Sequence, residues 1–87
     1  MVSKGHSKRL SLRDMTVFEH DGRRYTQDRT VWEQKSSGSW HNMGAWAWDE
    51  TTQSVMLRYV AGGDWVPANK WVTQAYQATI VNTLILG

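Results

Sequence analysis

Residues 15–26, Met15-Thr16-Val17-Phe18-Glu19-His20-Asp21-Gly22-Arg23-Arg24-Tyr25-Thr26, decide the fold. Asp21-Gly22 is the strongest hairpin signal in the chain, because a two-residue primed turn needs positive φ at both central positions. Such a turn pairs 15–20 with 23–26. Phe18 then faces Tyr25 and Glu19 faces Arg24, an aromatic pair on one side and an ion pair on the other. Working outward, Gln27-Asp28 turns into 29–35, Ser36-Ser37-Gly38 turns into 39–48, and residues 49–53 turn into 54–60. The reading is a five-stranded antiparallel meander, a small barrel-like sheet.

Side chains alternate across a strand, so a register carried through successive turns assigns each residue a face. The large residues collect on one side: Phe18, Tyr25, Trp32, Trp40, Trp46, Trp48, Val55, Leu57 and Tyr59, with Gly44 making room for the Tyr59 ring. The other side receives Val17, Glu19, Arg24, Thr26, Val31, Glu33, His41, Met43, Ala45, Ala47, Met56, Arg58 and Val60. That mixture suits a partly solvated surface.

After Gly62-Gly63, Pro67 suits a first helical turn. Ala68, Trp71, Val72, Ala75, Tyr76 and Thr79 follow at helical spacing, which predicts an amphipathic helix over 67–78 with Trp71 in the core. The β-branched and apolar run that follows predicts a sixth strand over 79–86. The fold class is therefore α+β: a meander with one C-terminal helix and a further strand. An apolar strand at 80–86 that pairs with a second chain would make a homodimer.

Composition sets the outer bounds. Eighty-seven residues allow one compact domain, here 14–87, and six tryptophans supply a core for so short a chain. No cysteine is present, which excludes disulfides, thiolate zinc sites and cysteine nucleophiles. Neither a membrane-spanning run nor the apolar centre of a signal peptide stands out, so the expectation is a soluble, cytoplasmic protein. Residues 1–13, with Lys4, Lys8, Arg9 and Arg13 and no acid, read as a flexible basic arm. Residues 1–35 hold eight Lys/Arg against five acids, whereas 36–87 hold two against three, so the positive charge is concentrated early.

Gly63-Asp64-Trp65-Val66-Pro67-Ala68-Asn69-Lys70-Trp71-Val72 resembles the Gly…Val-Pro-x-Asn-aromatic-Val end of SH3 domains. An extra Lys70 precedes the aromatic residue, and the alanine-leucine-tyrosine-aspartate-tyrosine stretch of that family has no counterpart here. The resemblance implies a groove for proline-rich peptides lined by Trp46 or Trp48 with Pro67 and Trp71.

Three functional readings follow from the residues. Met43, Ala45, Ala47, Met56 and Val60, bordered by His41, Arg58, Glu33 and Arg24, form an apolar strip with a polar rim, the pattern of a protein-binding patch. The expected role is accordingly a non-catalytic binding protein: an adaptor, an assembly subunit or an inhibitor of a larger protein. The alternative is nucleic-acid binding through Lys4, Lys8, Arg9, Arg13, Arg23 and Arg24. Third, Glu33 beside His41 offers a carboxylate-imidazole pair for general base chemistry, but no nucleophile or oxyanion donor accompanies it. The histidines lack metal-ligand spacing and no glycine-rich phosphate loop occurs, so neither a metal nor a cofactor is expected.

Overall fold

The computed structural model describes residues 12–86. A short helix, α1 (Leu12–Met15), leads into β1 (Thr16–His20), β2 (Arg23–Thr26), β3 (Thr30–Gln34), β4 (Trp40–Asp49), β5 (Ser54–Arg58), β6 (Val66–Pro67) and the helix α2 (Lys70–Leu86). The strands form an antiparallel meander in sequence order, with β1 and β6 at its two edges. The α+β class holds, with six strands in an open sheet. Helix α2 lies across one face and packs against β1 and β5.

The first hairpin forms as its sequence dictates. Asp21 and Gly22 have φ of 53° and 79°, and Phe18 pairs with Tyr25 and Glu19 with Arg24. The next connection differs from expectation. Three residues, Gln27-Asp28-Arg29, separate β2 from β3, and Arg29 takes φ 72°. A turn closed by a left-handed third residue is the usual three-residue hairpin solution. It moves the register by one, so Tyr25 pairs with Val31 and Arg24 with Trp32. A one-residue slip exchanges faces. Val31 is therefore buried in the core, and Trp32 faces the other way.

The inversion persists into the first half of β4, where Glu33 pairs with His41 and Gln34 with Trp40. A bulge then restores the original alternation: Trp32 pairs with Asn42 but Val31 with Gly44, leaving Met43 as the extra residue. Beyond it Trp46 pairs with Leu57 and Trp48 with Val55, all on the helix side. Trp32 and Trp40, expected in the core, lie between the two irregularities and belong to the opposite face. Met43, expected on the outer face, packs against the core.

The core is aromatic. Phe18 stacks on Tyr25 at 4.3 Å, and Trp46 meets their rings edge-on at 5.4 and 6.2 Å. From α2, Tyr76 completes the cluster at 5.6 Å from Phe18 and 5.7 Å from Trp46. Trp46 is wholly buried, and removing an indole of that size from water is worth roughly 4–6 kcal/mol.

Helix α2 starts later and ends later than its periodicity predicts. Asn69 caps it, its Oδ1 accepting from the N–H groups of Trp71 and Val72 at 2.9 and 3.1 Å. Pro67 instead belongs to β6, opposite Met56. Val72, Ala75 and Tyr76 face the core, whereas Trp71, one position off that stripe, is 55 % exposed. The helix continues through 79–86, so the strand expected there, and the chain exchange built on it, have no basis. Extending an existing helix is cheap compared with starting one, and the Thr79 hydroxyl donates to the Ala75 carbonyl one turn back. Thr73 also secures the sheet margin: its Oγ1 accepts from Val55 N–H at 3.0 Å, while Ala68 N–H donates to the Val55 carbonyl at 2.8 Å.

Gly44 is required by a close backbone crossing. Its φ is 141°, and a Cβ there would run into the Arg58 carbonyl oxygen. The space serves the Arg58–Tyr59 backbone; the Tyr59 ring, expected in the core, is 53 % exposed. Gly44→Ala should destabilise the fold by about 1–3 kcal/mol, read as a lower urea midpoint, because the displaced atoms are backbone.

Candidate functional site

With α2 on one face of the sheet, the other face is left without a covering element among the described residues. Cross-strand registers assemble it in rows. Arg24, Trp32 and Asn42 form one row, with Trp40 two residues before Asn42 on the same strand. Thr30, Ala45 and Arg58 form the next, followed by Ala47, Met56 and Pro67. Trp65, just before β6, completes the margin. An open cleft of about 570 Å³ runs over this surface, floored by Gly44, Ala45 and Ala47 and walled by Arg29, Arg58 and Trp65.

Two guanidinium groups lie over indole rings here, Arg24 over Trp40 at 4.5 Å and Arg58 over Trp65 at 4.8 Å. Glu19 Oε2 is 3.4 Å from Arg24 Nε, close enough for ionic attraction but off the line of a hydrogen bond. Arg29 reaches from the β2–β3 turn over the Trp46 ring at 4.6 Å. Its contact with that ring helps to offset the cost of a left-handed non-glycine residue.

The turn beneath the cleft is organised by Thr26, which is fully buried. Its carbonyl accepts from the Trp46 indole N–H and from Arg29 N–H, both at 2.9 Å. Its hydroxyl accepts from the Trp32 indole N–H at 3.2 Å and donates to Asp28 Oδ1 at 2.6 Å. Asp28 also accepts from Thr30 N–H at 3.1 Å. The Thr26 hydroxyl bond, reinforced by Thr30, holds the Asp28 carboxyl below its ordinary value of 3.8.

The proposed protein-binding patch is only partly assembled. Ala45, Ala47, Met56 and Arg58 share the helix-free face as expected. Met43 is partly buried against the core and also lines the cleft, whereas His41 does not belong to the patch. The inverted register places His41 with Glu33 and Arg23 on the helix side, where Glu33 lies 3.6 Å from both Arg23 Nε and Lys35 Nζ. The expected nucleic-acid set is divided in the same way. Arg24 is on the helix-free face and Arg23 on the other; Lys4, Lys8 and Arg9 lie outside the described residues, as does the side chain of Arg13. Val60, 69 % exposed, follows the end of β5 and lies outside the strip.

The SH3-like groove does not form. Trp46 is inaccessible, Trp48 packs against Tyr76 on the helix side at 5.0 Å, and Pro67 pairs into the opposite face. The sequence reading does not single out Asn42 or Trp65. Antiparallel pairing back across the Gly62-Gly63 turn is the signal that places Trp65 beside Arg58. Among the described residues, no group of three His, Asp or Glu side chains is arranged to hold a metal, and no helix is long and apolar enough to cross a membrane. No family model, curated protein or solved structure matches the chain.

The pH dependence of this turn follows from Asp28. Because folding makes its carboxyl more acidic, it adds stability above the unfolded value near pH 4 and loses it as pH falls through the folded value. Asp49, lowered by its bond from the Thr52 hydroxyl, acts in the same direction. Asp28→Asn should therefore lower the urea midpoint at pH 7 and flatten, without abolishing, its fall below about pH 4.

Proposed function

We propose that this protein is a non-catalytic binding module and that the helix-free face of its sheet is where it meets a macromolecular partner. The observation that carries this reading is the cleft over Gly44, Ala45 and Ala47, flanked by the Arg58–Trp65 stack and Met56. A solvated sheet face ordinarily carries mixed polar side chains. Here a low floor of small residues runs between large flat ones, and the arginines beside it can form directional hydrogen bonds. Met56 adds an adaptable apolar surface beside it.

The general base reading has less support. Glu33 and His41 are neighbours, but the Glu33 carboxylate lies between Arg23 and Lys35 on a solvated margin. That is the environment of a surface ion-pair network.

Ala47→Glu and Met56→Glu place charge at the centre of the proposed contact while leaving the aromatic core intact. Each should keep the far-UV circular dichroism and fold cooperatively. Immobilised wild-type chain should retain from native-host extract a species that both variants retain at least about tenfold less well. The retained material is assayed separately for protein and nucleic acid. Unfolding of both variants would mean that the strip is structural, and equal retention would place the contact elsewhere.

A further inference from the structure

Resting on that reading of the helix-free face, we infer that the partner it takes is a single-stranded nucleic acid, whose bases stack on Trp32, Trp40 and Trp65 and whose phosphates meet Arg24 and Arg58. Three of the six tryptophans occupy this face, although a chain this short has strong reason to bury them. An indole on an open sheet offers a flat surface on which any base can stack.

The two Arg–Trp pairs add a second element. A guanidinium over an indole is itself a planar stacking surface, and its N–H fork matches a phosphate. These pairs lie towards opposite sides of the face, Arg24 on β2 and Arg58 on β5, so a strand crossing the sheet meets both. Between them the Gly44-Ala45-Ala47 floor permits close approach. Asn42 Oδ1 already accepts from Gly44 N–H at 2.9 Å, so its contribution to a ligand is the amide N–H pair, suited to a base carbonyl.

Two carboxylates share this face, Glu19 drawn to Arg24 and Asp28 engaged by Thr26 and Thr30, so the phosphate contact at the cleft falls chiefly to Arg58, which lies beside it. A duplex fits this surface poorly, because its bases are already stacked on one another and cannot lie on the indoles. A protein ligand is the competing occupant, and the test separates it.

The full chain is titrated against a fluorescent homopyrimidine strand of about 12 nucleotides and a duplex of the same length, read by anisotropy across a salt series. The strand should bind more tightly than the duplex. Two phosphate contacts, at Arg24 and Arg58, predict a slope of about −1.4 in log affinity against log salt. Arg58→Ala should make that slope shallower by about 0.7, and Arg58→Lys should restore the slope. Trp65→Leu should weaken binding about tenfold with the slope unchanged. Arg23→Ala, on the helix side, should alter neither, and circular dichroism melts establish that each variant is folded.

Absence of strand binding at about 50 mM salt would overturn the inference, as would preference for duplex. Full affinity in both Arg58→Ala and Trp65→Leu would also overturn it, because binding would then come from elsewhere, including the basic residues 1–13. If the strand fails to bind while an Ala47→Glu-sensitive protein is retained from extract, the nucleic-acid inference fails and the face remains the contact surface. If neither is retained, both fail.

Discussion

The hydrogen bond from the Trp46 indole to the Thr26 carbonyl sets which side of the sheet is inside. Thr26 stands at the end of β2, and the same carbonyl closes the three-residue turn by accepting from Arg29. Its hydroxyl receives Trp32 from the opposite direction. One buried residue thus holds one tryptophan in the core and another on the outer face. Both indole N–H groups are satisfied, which matters because an unpaired buried donor costs about 1–3 kcal/mol. The Phe18–Tyr25 stack, the approach of Tyr76 and the docking of α2 all depend on the resulting position of Trp46.

That placement also explains how the two faces acquire different chemistry. The helix side concentrates rings that meet edge-on or stacked and need no solvent contact. The opposite side receives indoles paired with arginines, together with glycine and alanine where β4 would otherwise carry bulk. Gly44 belongs to both arrangements. Its missing side chain permits β5 to cross closely, and its position after the Met43 bulge marks where β4 regains its alternation.

Much of this order was legible in the sequence, and what was not has a definite physical cause. Asp21-Gly22 specifies its hairpin locally, so the pairing of Phe18 with Tyr25 follows directly. Gln27-Asp28-Arg29 carries no comparable signal: its three-residue form depends on the buried Thr26–Asp28 bond and on a left-handed arginine held by the Trp46 ring. The Met43 bulge is equally silent. Because each event exchanges faces, their effects cancel beyond residue 43, which is why Trp46 and Trp48 were placed correctly while Trp32, Trp40 and His41 were not. The candidate site lies largely between and beside those two events. Helix length was obscured for another reason: the β-branched stretch 79–81 reads as strand in isolation but continues a helix already nucleated at Asn69.

Hydrogen exchange of the six indole N–H groups, followed by NMR, tests this organisation most directly. Trp46 should exchange slowest, at the rate set by global unfolding, because its N–H is fully buried on the Thr26 carbonyl. Trp32 should be intermediate, protected by the Thr26 hydroxyl on a partly solvated face, while Trp65 and Trp71 should exchange fastest. Exchange of Trp46 as fast as Trp65, or protection of Trp32 equal to that of a core indole, would contradict the assignment of faces.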